Sequence, residues 1–229
     1  MHGTMNPQSD YDVRGVFVNN SLPHLVGFHK KEFFQRKDDD EGLDVHLWEW
    51  KRFVLGLYRC DVQAVETLFN NRWIYIHPFF KNEVIDCWYK LINPDKLISS
   101  LKGFLFNETN VAFGLGSGGK LGARKKQIEE IGYSSKNAAH ALRLAFSLRH
   151  FLIYGRLISD FREFPFYLDL IKKMKSGSQR KNWVKKLLTD VMDDVKLLHG
   201  EKNEVRCSFD TEFAARLCLK GYATIFPKH

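Results

Sequence analysis

The sequence predicts an α+β protein, with a small mixed-sheet domain over residues 1–92 and a basic helical domain over residues 93–229. Three observations lead there. The β-prone run Asp10-Tyr11-Asp12-Val13-Arg14-Gly15-Val16-Phe17 holds two carboxylates one residue apart. At about Trp48 the apolar pattern changes from the period of a strand to that of a helix. Beyond Pro94 apolar residues recur at helical spacing through most of the chain.

The elements follow in order. Residues 10–18 read as a strand, and Asn19 to Glu41, with Asn19-Asn20-Ser21 and the run Asp38-Asp39-Asp40-Glu41, read mostly as loop. Leu43-Asp44-Val45-His46 alternates and predicts a short second strand. Trp48, Phe53, Val54, Leu57 and Tyr58 share one helical stripe, which predicts an amphipathic helix to about Arg59. Asp61 is placed to cap a second helix through Phe69. Trp73 to Ile76 reads as a short strand before an aromatic-rich helical stretch. Asn93-Pro94-Asp95 is a break and a helix start, with a helix over 95–106. Gly114 to Gly119 reads as a flexible break. Helices are expected over about 121–131, 135–154, 166–174, 179–198 and 211–220, the second with Ala138, Ala139, Leu142, Ala145, Phe146 and Leu152 on its apolar face.

Composition narrows the class. A hydrophobic content of 44% over 229 residues is enough for a real core and excludes a disordered chain. No apolar run approaches the ~20 residues of a membrane span. The N-terminal Met1-His2-Gly3-Thr4 is too polar for a signal peptide, so a cytoplasmic protein without a membrane partner is expected. Cys60, Cys87, Cys207 and Cys218 lie far apart and read as reduced thiols, with a disulfide or zinc site as second choice. The net charge of +8 is uneven: residues 1–70 hold 8 Lys/Arg against 11 Asp/Glu, and residues 117–190 hold 16 against 6. That asymmetry suggests a metal-holding part and a part facing a polyanion, nucleic acid or nucleotide. A plain solvated basic surface is the alternative.

The chemistry centres on Asp10 and Asp12. Side chains at i and i+2 of a strand share a face, so the two project side by side. Close carboxylates repel and are hard to keep ionised without a cation between them. Hard oxygen ligands favour Mg²⁺, which stays partly hydrated and is shared with substrate phosphates.

Gly3-Thr4-Met5-Asn6-Pro7-Gln8-Ser9-Asp10-Tyr11-Asp12 resembles the active-site turn and strand of nucleotidyltransferases of the DNA polymerase β superfamily. Leu43-Asp44-Val45-His46-Leu47-Trp48-Glu49-Trp50 resembles the strand-to-helix junction of the RNA-repair-pathway, polymerase-β-like group of bacteria and large phages. Gly132-Tyr133, Lys136 and Ala139-His140-Ala141-Leu142-Arg143 resemble a block in its helical half.

The resemblance implies a nucleotidyltransferase domain in which Asp10, Asp12 and Asp44 hold two Mg²⁺ or Mn²⁺ ions. The implied reaction moves a nucleoside monophosphate from an NTP to an acceptor hydroxyl. RNA is the preferred acceptor and a protein the other, in a bacterial or phage-infected cell. The phosphate-side residues would be Gly3, Thr4, Ser9 and Arg14, joined by Lys136, His140 and Arg143. In the family a Gly-Ser pair precedes the acids. Gly3-Thr4 lies too close to Asp10 to be that pair and corresponds to a later glycine of the turn, so the motif is expected to begin upstream of Met1. A catalytically inactive module of the same fold, binding RNA or a protein, is the other reading.

Weaker signals have plainer explanations beside them. Gly114-x-Gly116-x-x-Gly119 lacks a βαβ setting and reads as a flexible connection rather than a dinucleotide loop. Lys136, His140 and Arg143 share one helix face, which is equally a solvated basic face. His140 is equally a packed helix histidine, and Arg14 can orient a phosphate or pair with an acid. The run from Lys172 to Lys186, with Trp183 inside it, suits a nucleic-acid backbone and equally a solvated charge run.

Overall fold

In the computed structural model, which describes residues 11–19, 21–25, 33–38, 42–115, 122–200 and 207–224, the run after Asp10 is strand β1 (Tyr11–Phe17). A four-residue helix α1 (Leu22–Leu25), β2 (Phe33–Asp38) and β3 (Leu43–Glu49) follow. The sheet is mixed, in the order β1-β3-β2. β1 runs parallel to β3, and β2 antiparallel to it. The protein is therefore α+β, as expected. The β2 strand is a correction, because that stretch was expected to be loop. Phe33 to Lys37 are exposed, so β2 buries no face that could show as alternation, and its pairing with β3 holds it.

The helical stripe from Trp48 splits. Trp48 and Glu49 finish β3, and the helix α2 spans Trp50–Arg59. The Glu49 carboxylate caps it by accepting the Lys51 and Arg52 N–H groups, and Cys60 closes it in the left-handed conformation at φ 54°. Asp61 caps α3 (Val62–Leu68) as expected. Trp73–Ile76 makes no ladder; Ile74 and Tyr75 project 91% and 74% exposed. A π-helical turn (Phe80–Ile85) and a short 3-10 turn (Trp88–Lys90) lead into α4 (Pro94–Ala112), longer than the sequence suggested. Then come α5 (Gly122–Ile131), α6 (Ser135–Tyr154), α7 (Pro165–Lys175), α8 (Lys181–Gly200) and α9 (Thr211–Ala223).

Two compact units emerge. One comprises the described residues up to Leu97 together with α9; the other begins at Ile98 and continues through α8. The division expected at residue 92 thus falls inside the first turn of α4, and the expected C-terminal domain loses its last helix to the first unit.

In the first unit the core gathers on Trp50, Phe53, Leu57, Ala64, Val65 and Leu68. Helix α9 lies against Trp50, whose indole Nε1 donates to the Cys218 carbonyl at 3.0 Å. Gly221 permits that approach, since a β-carbon there would overlap the indole. The Tyr222 hydroxyl donates to Glu49 Oε1 at 2.7 Å, so the cap of α2 is also a tie to α9. Burial and the neighbouring Glu49 carboxylate push the Tyr222 hydroxyl pKa upward, and burial raises the Cys218 thiol to about 11.

The second unit is built on α6. Ala138, Leu142, Ala145 and Phe146 pack with Ile171 and Met174 of α7 and Val184 and Leu188 of α8.

Candidate functional site

The strand register puts side chains of three strands into rows. Asp12 of β1 stands opposite Asp44 of β3, which stands opposite Lys37 of β2. Two residues on, Arg14, His46 and Gln35 form the next row, and then Val16, Trp48 and Phe33. Alternation along a strand brings all three rows to one face. Neighbouring strands lie about 4.8 Å apart, so Asp12 and Asp44 are within reach of one shared cation.

Asp44 is the more enclosed acid, with its side chain 24% exposed. His46 Nε2 comes within 3.0 Å of Asp44 Oδ1, but without the alignment of a hydrogen bond, so among the described residues that buried oxygen has no donor. The same ring nitrogen lies 3.3 Å from Gln35 Nε2. A neutral imidazole nitrogen that accepts from the amide cannot also donate to the carboxylate. Arg14 Nη1 is likewise buried without an acceptor among the described residues. A carboxylate oxygen lacking a donor and a guanidinium nitrogen lacking an acceptor, one row apart, is a costly arrangement that a cation and an anion together would relieve. The third row closes the polar rows off from the apolar end. Phe33 and Trp48 rings lie 5.0 Å apart, and the Arg52 guanidinium sits over both at 5.4 and 5.9 Å.

β1 is the edge of the sheet, and its open side borders a cavity of about 900 Å³. Asp12 and Arg14 line one wall; Arg72, Trp73, Tyr75 and His77 line another. Asn70 ties the second wall down by donating to the Arg72 carbonyl at 2.8 Å and accepting the Arg72 N–H at 3.2 Å. The Trp73 ring rests 5.4 Å from Phe80.

Of the residues singled out from sequence, Asp12, Asp44 and Arg14 are brought together. Asp10, Gly3, Thr4 and Ser9 lie outside the described residues, as do Gly116 and Gly119. Among the described residues no group of three His, Cys, Asp or Glu side chains is arranged to hold a metal ion. The pair Asp12 and Asp44 is what the described strands contribute.

Lys136, His140 and Arg143 lie along α6 in the second unit. Lys136 is exposed, and His140 is engaged internally. Its Nδ1 lies 3.2 Å from Glu108 Oε2, and its ring meets Phe104 edge-on at 5.5 Å. Asn137 Nδ2 donates to the same Glu108 oxygen at 2.7 Å, and the Ser134 hydroxyl donates to Asn137 Oδ1 at 2.9 Å. The hydrogen bond from His140 holds the Glu108 carboxyl below the usual range, against the opposing effect of burial.

Sequence reasoning missed Gln35 and Lys37, because β2 itself was missed, and Arg72 and Tyr75, because the 70–77 segment has no ladder. Only the aromatic density around Trp73 hinted at a wall. No helix among the described residues is long and apolar enough to cross a membrane. No protein-family model, curated protein or solved structure matches the chain.

Proposed function

We infer that the chain is a metal-dependent nucleotidyltransferase that moves a nucleoside monophosphate from an NTP to an acceptor hydroxyl, with RNA as the preferred acceptor. The observation that carries this reading is the register pairing Asp12 with Asp44 on adjacent parallel strands, with a buried Asp44 oxygen that lacks a hydrogen-bond donor among the described residues. The resemblance of the Asp10–Phe17 and Leu43–Trp50 stretches to polymerase-β-like enzymes supports it.

The donor set fits a hard divalent cation: two carboxylates, one half-exposed to solvent exchange and one enclosed. Asp12 and Asp44 would hold it, with Asp10 completing the set that the resemblance implies. Mg²⁺ or Mn²⁺, two ions by the resemblance, would neutralise phosphate charge and lower the pKa of the attacking hydroxyl. Arg14 would donate its free Nη1 to a phosphate oxygen. The cavity falls within the ~300–1,000 Å³ range of ligand sites. Trp73 and Tyr75 would offer ring faces to a base, and Arg72 a second cation.

The test is incubation of the purified protein with labelled NTPs, Mg²⁺ or Mn²⁺, and either total RNA or protein extract, beside Asp12→Ala and Asp44→Ala. Label on RNA with the native chain and none with the variants supports the reading. Label on protein alone changes the acceptor. The second reading is a non-catalytic RNA- or protein-binding module of the same fold. RNA binding without transfer by any of the three proteins would establish it.

A further inference from the structure

The corner where α7 turns into α8 carries seven Lys and Arg and no Asp or Glu between Lys172 and Lys186. Two of the seven are offset within their own helices, Lys173 by Asp169 at 2.7 Å and Lys186 by Asp190 at 2.9 Å. Among the described residues no ion pair involves Lys172, Arg180, Lys181 or Lys185. Their placement is locally unfavourable. Lys181 and Lys185 are like charges at i and i+4 on one helix face. Arg180, Lys181 and Lys185 also crowd the start of a 20-residue helix, whose first turn holds no acid and whose dipole disfavours cations there. Folds tolerate such conflicts mainly where a function needs them.

The corner is held in place. Ile171, Met174, Val184 and Leu188 anchor both helices in the core of the second unit. Gly177 takes the left-handed conformation at φ 72° to make the turn. The Tyr133 hydroxyl donates to the Gln179 carbonyl at 3.1 Å, and the Lys181 stem packs against Gly132. Trp183 lies among the cations with 36% of its surface exposed. A solvated charge run needs none of this anchoring.

We propose that this corner is a docking site for single-stranded RNA, with the cations on successive phosphates and Trp183 under an unpaired base. The proposal deepens the proposed function by locating its acceptor, and rests on that reading for the choice of RNA. Exposed cations around one exposed indole match a flexible phosphate chain with accessible base faces. A lipid surface fits less well, because Ile171, Met174, Val184 and Leu188 point into the core and Trp183 alone is a small greasy face to insert. Duplex RNA would use the phosphates and leave the indole idle.

The experiment is fluorescence anisotropy with a labelled single-stranded oligoribonucleotide over a range of salt concentrations. The native chain is compared with Lys172→Ala/Arg180→Ala/Lys185→Ala, with Trp183→Ala, and with a control, Lys126→Ala/Lys196→Ala/Arg216→Ala, which removes three cations that pair with acids on their own helices. Circular dichroism melts verify that each variant folds. The triple corner variant should lower the slope of log affinity against log salt by about 2, since each phosphate contact on a single strand contributes about 0.7. Trp183→Ala should weaken binding about tenfold with the slope unchanged. Equal losses in the control, or equal binding of duplex RNA or phosphatidylserine vesicles through the same residues, would overturn the proposal.

Asp12→Ala/Asp44→Ala should bind RNA like the native chain. RNA binding at the corner without transfer by the native chain would sink the proposed chemistry and leave the docking site standing. Transfer with RNA binding indifferent to the corner would do the reverse.

Discussion

Each unit contains an enclosed carboxylate beside a histidine, and the two differ in how completely they are satisfied. Glu108 accepts from Asn137 and contacts His140, and Asn137 is itself held by Ser134. Asp44 has His46 at a similar distance, yet among the described residues its buried oxygen has no aligned donor, and Arg14 in the next row lacks an acceptor. A network whose members satisfy one another gives rigidity and asks for nothing from outside. A pair left open carries a cost that a ligand or an ordered water can remove. The comparison separates a carboxylate that builds the protein from one available to act.

The largest effect expected from this contrast is on turnover. Asp44→Asn should lower nucleotidyl transfer on the order of 10³-fold, the scale of losing one electrostatic stabiliser of a transition state. It should leave the melting temperature unchanged or raised, because the buried oxygen without a donor no longer carries charge; a marked fall in melting temperature would make Asp44 structural. Glu108→Ala should do the opposite. It leaves Asn137 and His140 without their acceptor and should cost about 2–3 kcal/mol in denaturant unfolding. Transfer rates measured well below its melting temperature should stay within about twofold of native, and a collapse of transfer in a folded protein would place Glu108 in the chemistry.

Adding Mg²⁺ gives a smaller signal. An ion at 100 times its dissociation constant stabilises the folded state by about 2.7 kcal/mol, and at ten times by about 1.4. The native chain should therefore melt a few degrees higher with saturating Mg²⁺, and Asp44→Asn should not. An identical shift in both would remove the metal from the Asp12–Asp44 pair.

The smallest effect is on pH dependence. The folded-state pKa of Glu108 is lowered, so its ionised form stabilises the fold above the unfolded value of about 4.3. That contribution is lost as pH falls from there through the folded value. Glu108→Gln should flatten the acid limb of a stability–pH curve. An unchanged limb would mean the histidine contact contributes nothing.

The sequence made one half of this contrast legible. The spacing of Asp10 and Asp12 and the alternation around Asp44 are local signals, and the strand register then joined Asp12 to Asp44. The end of α2 and the start of α3 were readable for the same reason, since Asp61 caps α3 through neighbouring N–H groups. β2 was not readable, because an edge strand with exposed side chains has no periodicity apart from its partner. Trp73 to Ile76 misled in the opposite sense: β-prone residues make no strand where no neighbour offers a ladder. The Glu108 network was hidden, because Glu108 and His140 are distant in sequence and meet only through packing. Assigning α9 to the first unit was equally out of reach, because the bond from Trp50 to Cys218 spans 168 residues.

That last contact bears on the order in which the chain acquires its shape during synthesis. Trp50 and Glu49 emerge from the ribosome long before their partners at Cys218, Gly221 and Tyr222, the hydrogen bond from Trp50 alone spanning 168 residues. The described residues of the second unit are continuous in sequence and can mature while translation proceeds, whereas the sheet-bearing unit must wait, its indole uncovered, for α9.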